Sequence, residues 1–191
     1  MPNGPEVKQR DRELRISSAR RKKLLKRTLG IGIVIALVAA GSWWLVRYTR
    51  EQSQNQPGAF YPDQGRPHVP IGTPFAYNSN PPTSGPHFAQ PAEWGVYREE
   101  IPDQVLIHNL EHGGIWISYR SGIATSTVER LEAVAREFGR KVIMAPRSAN
   151  DADIALAAWN RLDKFSADEF SEERVRSFIK AWRNKGPEFV P

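Results

Sequence analysis

Cysteine is absent from this sequence. That excludes disulfides, a thiolate metal site and a cysteine nucleophile, so packing, with or without a metal ion, must stabilise any exported part of the chain. Methionine is nearly as scarce, since Met144 is the only one after Met1. Histidine occurs at four positions, His68, His87, His108 and His112, all inside one proline-rich stretch and the segment that follows it. There is no glycine loop of the phosphate-binding kind, no dinucleotide fingerprint and no internal repeat.

Charge is missing from Thr28 to Val46, TLGIGIVIALVAAGSWWLV. As a helix rising ~1.5 Å per residue, this run spans roughly 28 Å, close to the thickness of a hydrocarbon core. Trp43 and Trp44 suit an interfacial aromatic belt. A cleaved signal peptide has an apolar run of only about 7–15 residues and a small-residue cleavage site. The longer run and the bulky tryptophan pair therefore favour an uncleaved anchor.

Orientation follows from the flanks. Positions 1–27 hold ten Lys and Arg against Glu6, Asp11 and Glu13, a net +7, whereas only Arg47 and Arg50 follow the span closely. The positive-inside rule keeps the N-terminus cytoplasmic and sends the C-terminal part across the membrane. The remaining residues carry seventeen cations against eighteen anions, so the overall +6 belongs to the tail. Anionic lipid headgroups, not nucleic acid, are the partner this tail suggests. The expected organisation is a basic cytoplasmic tail (1–27), a single-pass transmembrane helix (28–46), a juxtamembrane linker (47–59) and one extracytoplasmic domain (60–191), long enough for its own core.

Prolines recur at positions 62, 67, 70, 74, 81, 82, 86 and 91, which forbids a long helix there. Phe60, Tyr61, Phe75, Tyr77 and Phe88 supply more aromatic surface than a solvated linker needs, so an ordered segment wrapped over the domain is expected. Gly114–Arg120 reads as a strand. Val105–Leu110 fits either a short helix beginning near Pro102 or one arm of a hairpin, and periodicity does not separate them. Ser126–Glu129 spells a capping box, and the stripe Val128, Leu131, Ala135, Phe138 marks an amphipathic helix ending at Gly139. Lys141–Ala145 reads as a strand stopped by Pro146, and Asp153–Trp159 as another, although its alanines also fit a helix. A second capping box at Ser166–Glu169 and the stripe Val175, Phe178, Ile179, Trp182 give a final helix ended by Gly186-Pro187. The order predicts an α+β domain, a small mixed or antiparallel sheet covered by two amphipathic helices.

A lone histidine is usually structural, but converging imidazoles suit Zn²⁺ or Cu²⁺. The expected metal set is His87, His108 and His112, with His68 as a less certain fourth ligand. On a helix, His108 and His112 share one face; on a straight strand they lie about 13 Å apart. Glu111 fits a ligand, a carboxylate orienting a histidine, or a surface charge. Met144 fits core packing, with a soft ligand favouring copper as the alternative. His108-Asn-Leu-Glu111-His112 also spells H-x-x-E-H, the pattern of a zinc peptidase class in which two histidines bind zinc and the glutamate activates water. Gly-Gly directly after the motif makes a small domain a poor host for that chemistry. Ser84 has no base beside it in the motif and is not a credible nucleophile. A non-catalytic module presenting a rigid surface to a protein or envelope partner is the competing class, and the sequence names no such partner.

Three segments together have a recognisable spelling: Tyr77-Asn-Ser-Asn-Pro-Pro-Thr-Ser-Gly-Pro-His87, Gly95-Val-Tyr97, and His108-Asn-Leu-Glu-His-Gly113 before a strand ending at Tyr119. This pattern resembles the bacterial domain-of-unknown-function family DUF3105 from about Tyr61 to the C-terminus. The resemblance implies a single-pass membrane protein with an exported domain whose motif positions include His87, His108, Glu111 and His112. It implies no activity.

Overall fold

The computed structural model describes residues 28–47 and 56–190. The basic tail at 1–27, and positions 48–55 of the expected linker, lie outside the described residues. The chain divides into two compact units, Met1–Asn55 and Gln56–Pro191. In the first, helix α1 (Thr28–Arg47) has a mean hydropathy of 2.2 over its apolar window and is long and apolar enough to cross a membrane. A signal sequence near an N-terminus has the same character.

The second unit is an α+β fold built on a six-stranded mixed sheet. Its strands are β1 (Ala59–Phe60), β2 (Gly95–Val96), β3 (Ile115–Tyr119), β4 (Val142–Pro146), β5 (Ile154–Ala158) and β6 (Arg161–Phe165), in the order β1-β6-β5-β3-β4-β2. The pairs β3–β4 and β2–β4 are parallel, and β3–β5, β5–β6 and β1–β6 are antiparallel. Parallel pairing demands a crossover. Helix α3 (Thr125–Phe138) supplies it between β3 and β4, whereas β5 and β6 are joined by a tight turn in which Asn160 has φ 60°.

Strand side chains alternate between two cores. Ile115, Ile117, Tyr119, Val142, Met144, Ile154, Leu156 and Phe165 pack with Leu131, Val134 and Ala135 of α3 and with Val175, Phe178 and Ile179 of α4 (Glu172–Trp182). Trp116, Ile143, Ala155, Ala157 and Leu162 point the other way, onto Leu106, Ile107 and Leu110 of α2 (Asp103–Glu111). Burial on both faces explains why β3 and β5 read as continuous apolar runs.

Several local expectations need correcting. The Ser126–Glu129 capping box does not form: α3 starts at Thr125, with Ala124 as its N-cap and no side-chain cap. The second box does form, but on a 3₁₀ turn at Ala167–Glu169, and Ser171 instead caps α4 by accepting from the Arg174 amide. Pro146 belongs to β4 rather than stopping it. Helix α4 ends at Trp182, short of Gly186-Pro187.

Candidate metal centre

Val105–Leu110 is helical, which settles the helix-or-hairpin question. Pro102 holds the extended backbone of an N-cap, and Gly113, at φ 75°, turns the chain away after the C-cap His112. On this short helix Leu106, Ile107 and Leu110 face the sheet, while His108, Glu111 and His112 share the far side. That far side is not solvated. The proline-rich segment lies over it, as expected of an ordered wrap, and buries Glu111 and His108.

Backbone pairing brings two histidines of the wrap together. His68 and His87 form a parallel bridge, with the Val69 amide donating to the His87 carbonyl at 2.8 Å and the His87 amide to the Pro67 carbonyl at 3.1 Å. Gly85 adopts φ 116°, and a Cβ there would lie 3.0 Å from the Tyr77 ring. The Tyr77 hydroxyl donates to the Pro86 carbonyl at 2.6 Å. Burial, followed by the charge of Asp103, pushes the Tyr77 phenol up to about 12. Ser84 is buried, and its oxygen accepts the Gln64 amide at 3.1 Å, a structural role.

His68, His87, His108 and Glu111 converge, with one donor atom from each lying within 4.8 Å of all the others. This group could hold a metal ion. Nδ1 of His87 donates to the Gly85 carbonyl at 2.9 Å, and Nδ1 of His108 donates to the Phe88 carbonyl at 2.7 Å. A carbonyl oxygen only accepts, so both neutral rings carry their proton on Nδ1 and offer a lone pair at Nε2. Glu111 Oε2 lies 2.9 Å from His87 Nε2 and 3.9 Å from His68 Nε2, while its Oε1 meets Arg66 at 3.4 Å. The His87 side chain is fully buried, whereas that of His68 is half exposed. Burial pushes the His87 imidazole below its ordinary value, outweighing the Gly85 carbonyl and the Glu111 charge, which act the other way.

His112 stands beside this group rather than within it. Its Nε2 lies 3.1 Å from His108 Nε2, and with Glu111 and Glu188 it makes an adjoining cluster. Burial and then His108 lower its pKa. Met144 is fully buried among α3 and α4 side chains, on the opposite side of the sheet from α2. Its thioether is core, and the soft-ligand alternative has no route to the histidines.

A second polar cluster fixes the other end of α2. Arg147, with its side chain almost wholly buried, pairs with Asp103 at 2.8 and 2.7 Å, and it also donates to Asn80 and Asn150. It ties the proline-rich wrap, the first turn of α2 and the end of β4 to one guanidinium. Asn109 anchors the wrap again, exchanging two hydrogen bonds with the backbone of Ala92 at 2.9 and 2.8 Å.

Sequence reasoning missed Arg66 and Glu188. Nothing periodic marks a charged residue in a proline-rich segment or in a tail beyond the last helix. One signal was present but was read only as a helix stop. Gly186 is pressed so closely onto α2 that a Cβ would collide with the Glu111 carbonyl oxygen, and this contact delivers Glu188 beside His112.

A family model described as a protein of unknown function, DUF3105, matches residues 68–190. No curated protein and no solved structure gives a match.

Proposed function

The chain belongs to the DUF3105 family, which carries no assigned activity, and we propose from the chemistry of the site that its domain binds a transition-metal ion through His68, His87, His108 and Glu111. The observation that carries this reading is the pair of carbonyl-anchored rings. The Gly85 and Phe88 carbonyls each accept a hydrogen bond from the Nδ1–H of a histidine, which leaves the Nε2 lone pair of both rings in the group they make with Glu111. Protein ligands of zinc are held in this way, by outer hydrogen bonds that fix tautomer and ring plane.

Three imidazoles and one carboxylate suit Zn²⁺ or Cu²⁺. Bonds of roughly 2.0–2.1 Å to one ion place neighbouring donor atoms about 3–4 Å apart. The separations of 2.9 Å (His87 to Glu111) and 3.9 Å (His68 to Glu111) span that range. No sulfur is among the donors, so the set does not favour Cu(I). The arrangement argues against an H-x-x-E-H peptidase, in which Glu111 would be left to hold a water. Here both Glu111 oxygens face other side chains, Oε2 lying 2.9 Å from His87 Nε2 and Oε1 3.4 Å from Arg66. The topology that best fits the apolar helix and its cationic flank puts this domain on the outer side of a membrane, anchored by α1.

The test is titration of the full chain in detergent with Zn²⁺ and with Cu²⁺, beside His108→Ala and Glu111→Gln, with circular dichroism to confirm that each variant is folded. Tight uptake by the wild type and a loss of at least tenfold in both variants is expected. Equal uptake by all three folded proteins overturns the reading.

A further inference from the structure

Glu111 belongs to two donor sets at once. One is His68, His87 and His108; the other is His112 and Glu188. We propose that the site is a two-ion centre bridged by the Glu111 carboxylate, the second ion being held by Glu111, His112 and Glu188. This rests on the metal-binding reading above and extends it to a second, separable ion.

The geometry of the two carboxylate oxygens supports a bridge. Oε2 faces His87 and His68, whereas Oε1 meets the half-exposed Arg66 at 3.4 Å, a long contact that an ion can displace. His112 Nε2 lies 3.7 Å from Glu188 Oε2, within the spacing of two ligands on one ion, and 3.1 Å from His108 Nε2. Adjacent donor sets joined by one carboxylate correspond to the ~3.5–4 Å ion separation of two-metal sites.

The hydrogen bond between the two histidines makes the binding ordered. His108 keeps its proton on Nδ1, where it donates to the Phe88 carbonyl, so its single Nε2 lone pair accepts from His112 Nε2–H. The first ion takes that lone pair, and His112 loses its acceptor. With its proton moved to Nδ1, His112 then presents Nε2 to the second ion. Glu188 is half exposed and His112 partly exposed, so the second ion sits at the surface, with positions left for water or an exogenous ligand. Its third ligand comes from the tail that Gly186 seats against α2, with the Glu188 amide donating to the Glu111 carbonyl at 3.1 Å.

The experiment loads full-length wild type and Glu188→Gln in detergent with Cu²⁺, counts bound metal per chain and records electron paramagnetic resonance spectra. Glu188 is outside the first donor set, and its side chain is half exposed, so the variant leaves that set intact. Two ions in the wild type, with the broadening and half-field signal of a coupled pair, and one uncoupled ion in Glu188→Gln are expected. One ion in each protein overturns the bridge and leaves the single site standing. Two ions in both removes Glu188 from the second set and overturns the proposal. No ion in the wild type overturns both this proposal and the reading on which it rests.

Discussion

The two faces of one sheet follow different rules. Against α3 and α4, the core cluster of strand side chains is apolar, and two amphipathic helices close it. Against α2, the same strands carry Trp116, Ser118, Ile143, Leu162 and two alanines, and that side of the domain also holds the buried polar groups His87, His108, Asn109, Glu111, Arg147 and Asn150. Buried polar groups destabilise a fold unless each finds a partner. These are joined by hydrogen bonds to backbone carbonyls, to one another or to Asp103, so the face that carries the chemistry is the face specified by directed contacts. Both sides bury apolar side chains, but only the α2 side adds a network of directed polar contacts.

The strongest way to break that comparison is Phe178→Ala. Phe178 is fully buried between α4 and the sheet, and its loss should cost about 3–5 kcal/mol through lost burial and an unfilled cavity. Metal affinity of the folded variant should stay within about twofold of the wild type, because the helix face that carries the donors is untouched. Urea denaturation and metal titration measure the two quantities. A large loss of affinity without unfolding would show that the faces are coupled.

A smaller effect separates the faces by pH. His87 is held neutral by burial, with a folded pKa below 6.5, while the unfolded chain takes up its proton near ~6.5. Between those values the unfolded state binds a proton that the folded state refuses, so metal-free stability is complete above about pH 6.5 and declines as pH falls. His112 acts in the same direction. Glu111, His108 and His68 face His87 across the site, and the opposing effects of Glu111 and His108 are contained in that net lowering. The urea midpoint of the chelator-treated protein should therefore fall between pH 7.5 and 5.5. An unchanged or rising midpoint would contradict it. Zinc affinity should fall over the same range, but at a lower pH than for solvent-exposed imidazoles, because burial keeps His87 neutral.

The smallest expected effect is that of Met144→Leu. The swap nearly conserves volume inside the apolar face, so it should cost less than about 1.5 kcal/mol. Affinity for Cu(I) and Zn²⁺ should not move. A selective loss of copper with unchanged stability would place the thioether on the ion and sink the division between the faces.

What the sequence made legible follows the same division. The apolar face announced itself: the stripes of α3 and α4 are regular because each helix has one wet side and one dry side. Helix α2 gave no such signal. Leu106, Ile107 and Leu110 are buried by the sheet, and His108 and Glu111 are buried by the wrap, so no solvated stripe sets a period. The histidines were visible as a cluster, but their grouping was not. His68 joins His87 through a backbone bridge, and Glu188 arrives through a glycine contact, neither of which leaves a periodic trace. The Ser126–Glu129 box failed because the chain enters the helix two residues earlier, with extended Ala124 as the N-cap, so Ser126 already lies inside α3.

The bridge between His68 and His87 has a further consequence for a chain without cysteine. An ion gripped by both side chains would close the proline-rich loop between them covalently in all but name, as a cross-link between two points already held by backbone pairing. Closing a loop of roughly twenty residues removes unfolded-state entropy worth of the order of 3 kcal/mol. Because the bridge sets the spacing of the two residues beforehand, little native distortion opposes that gain. The metal would then serve as the reversible staple of a fold that has no oxidisable one, and a chelator would act on it as a reductant acts on a disulfide.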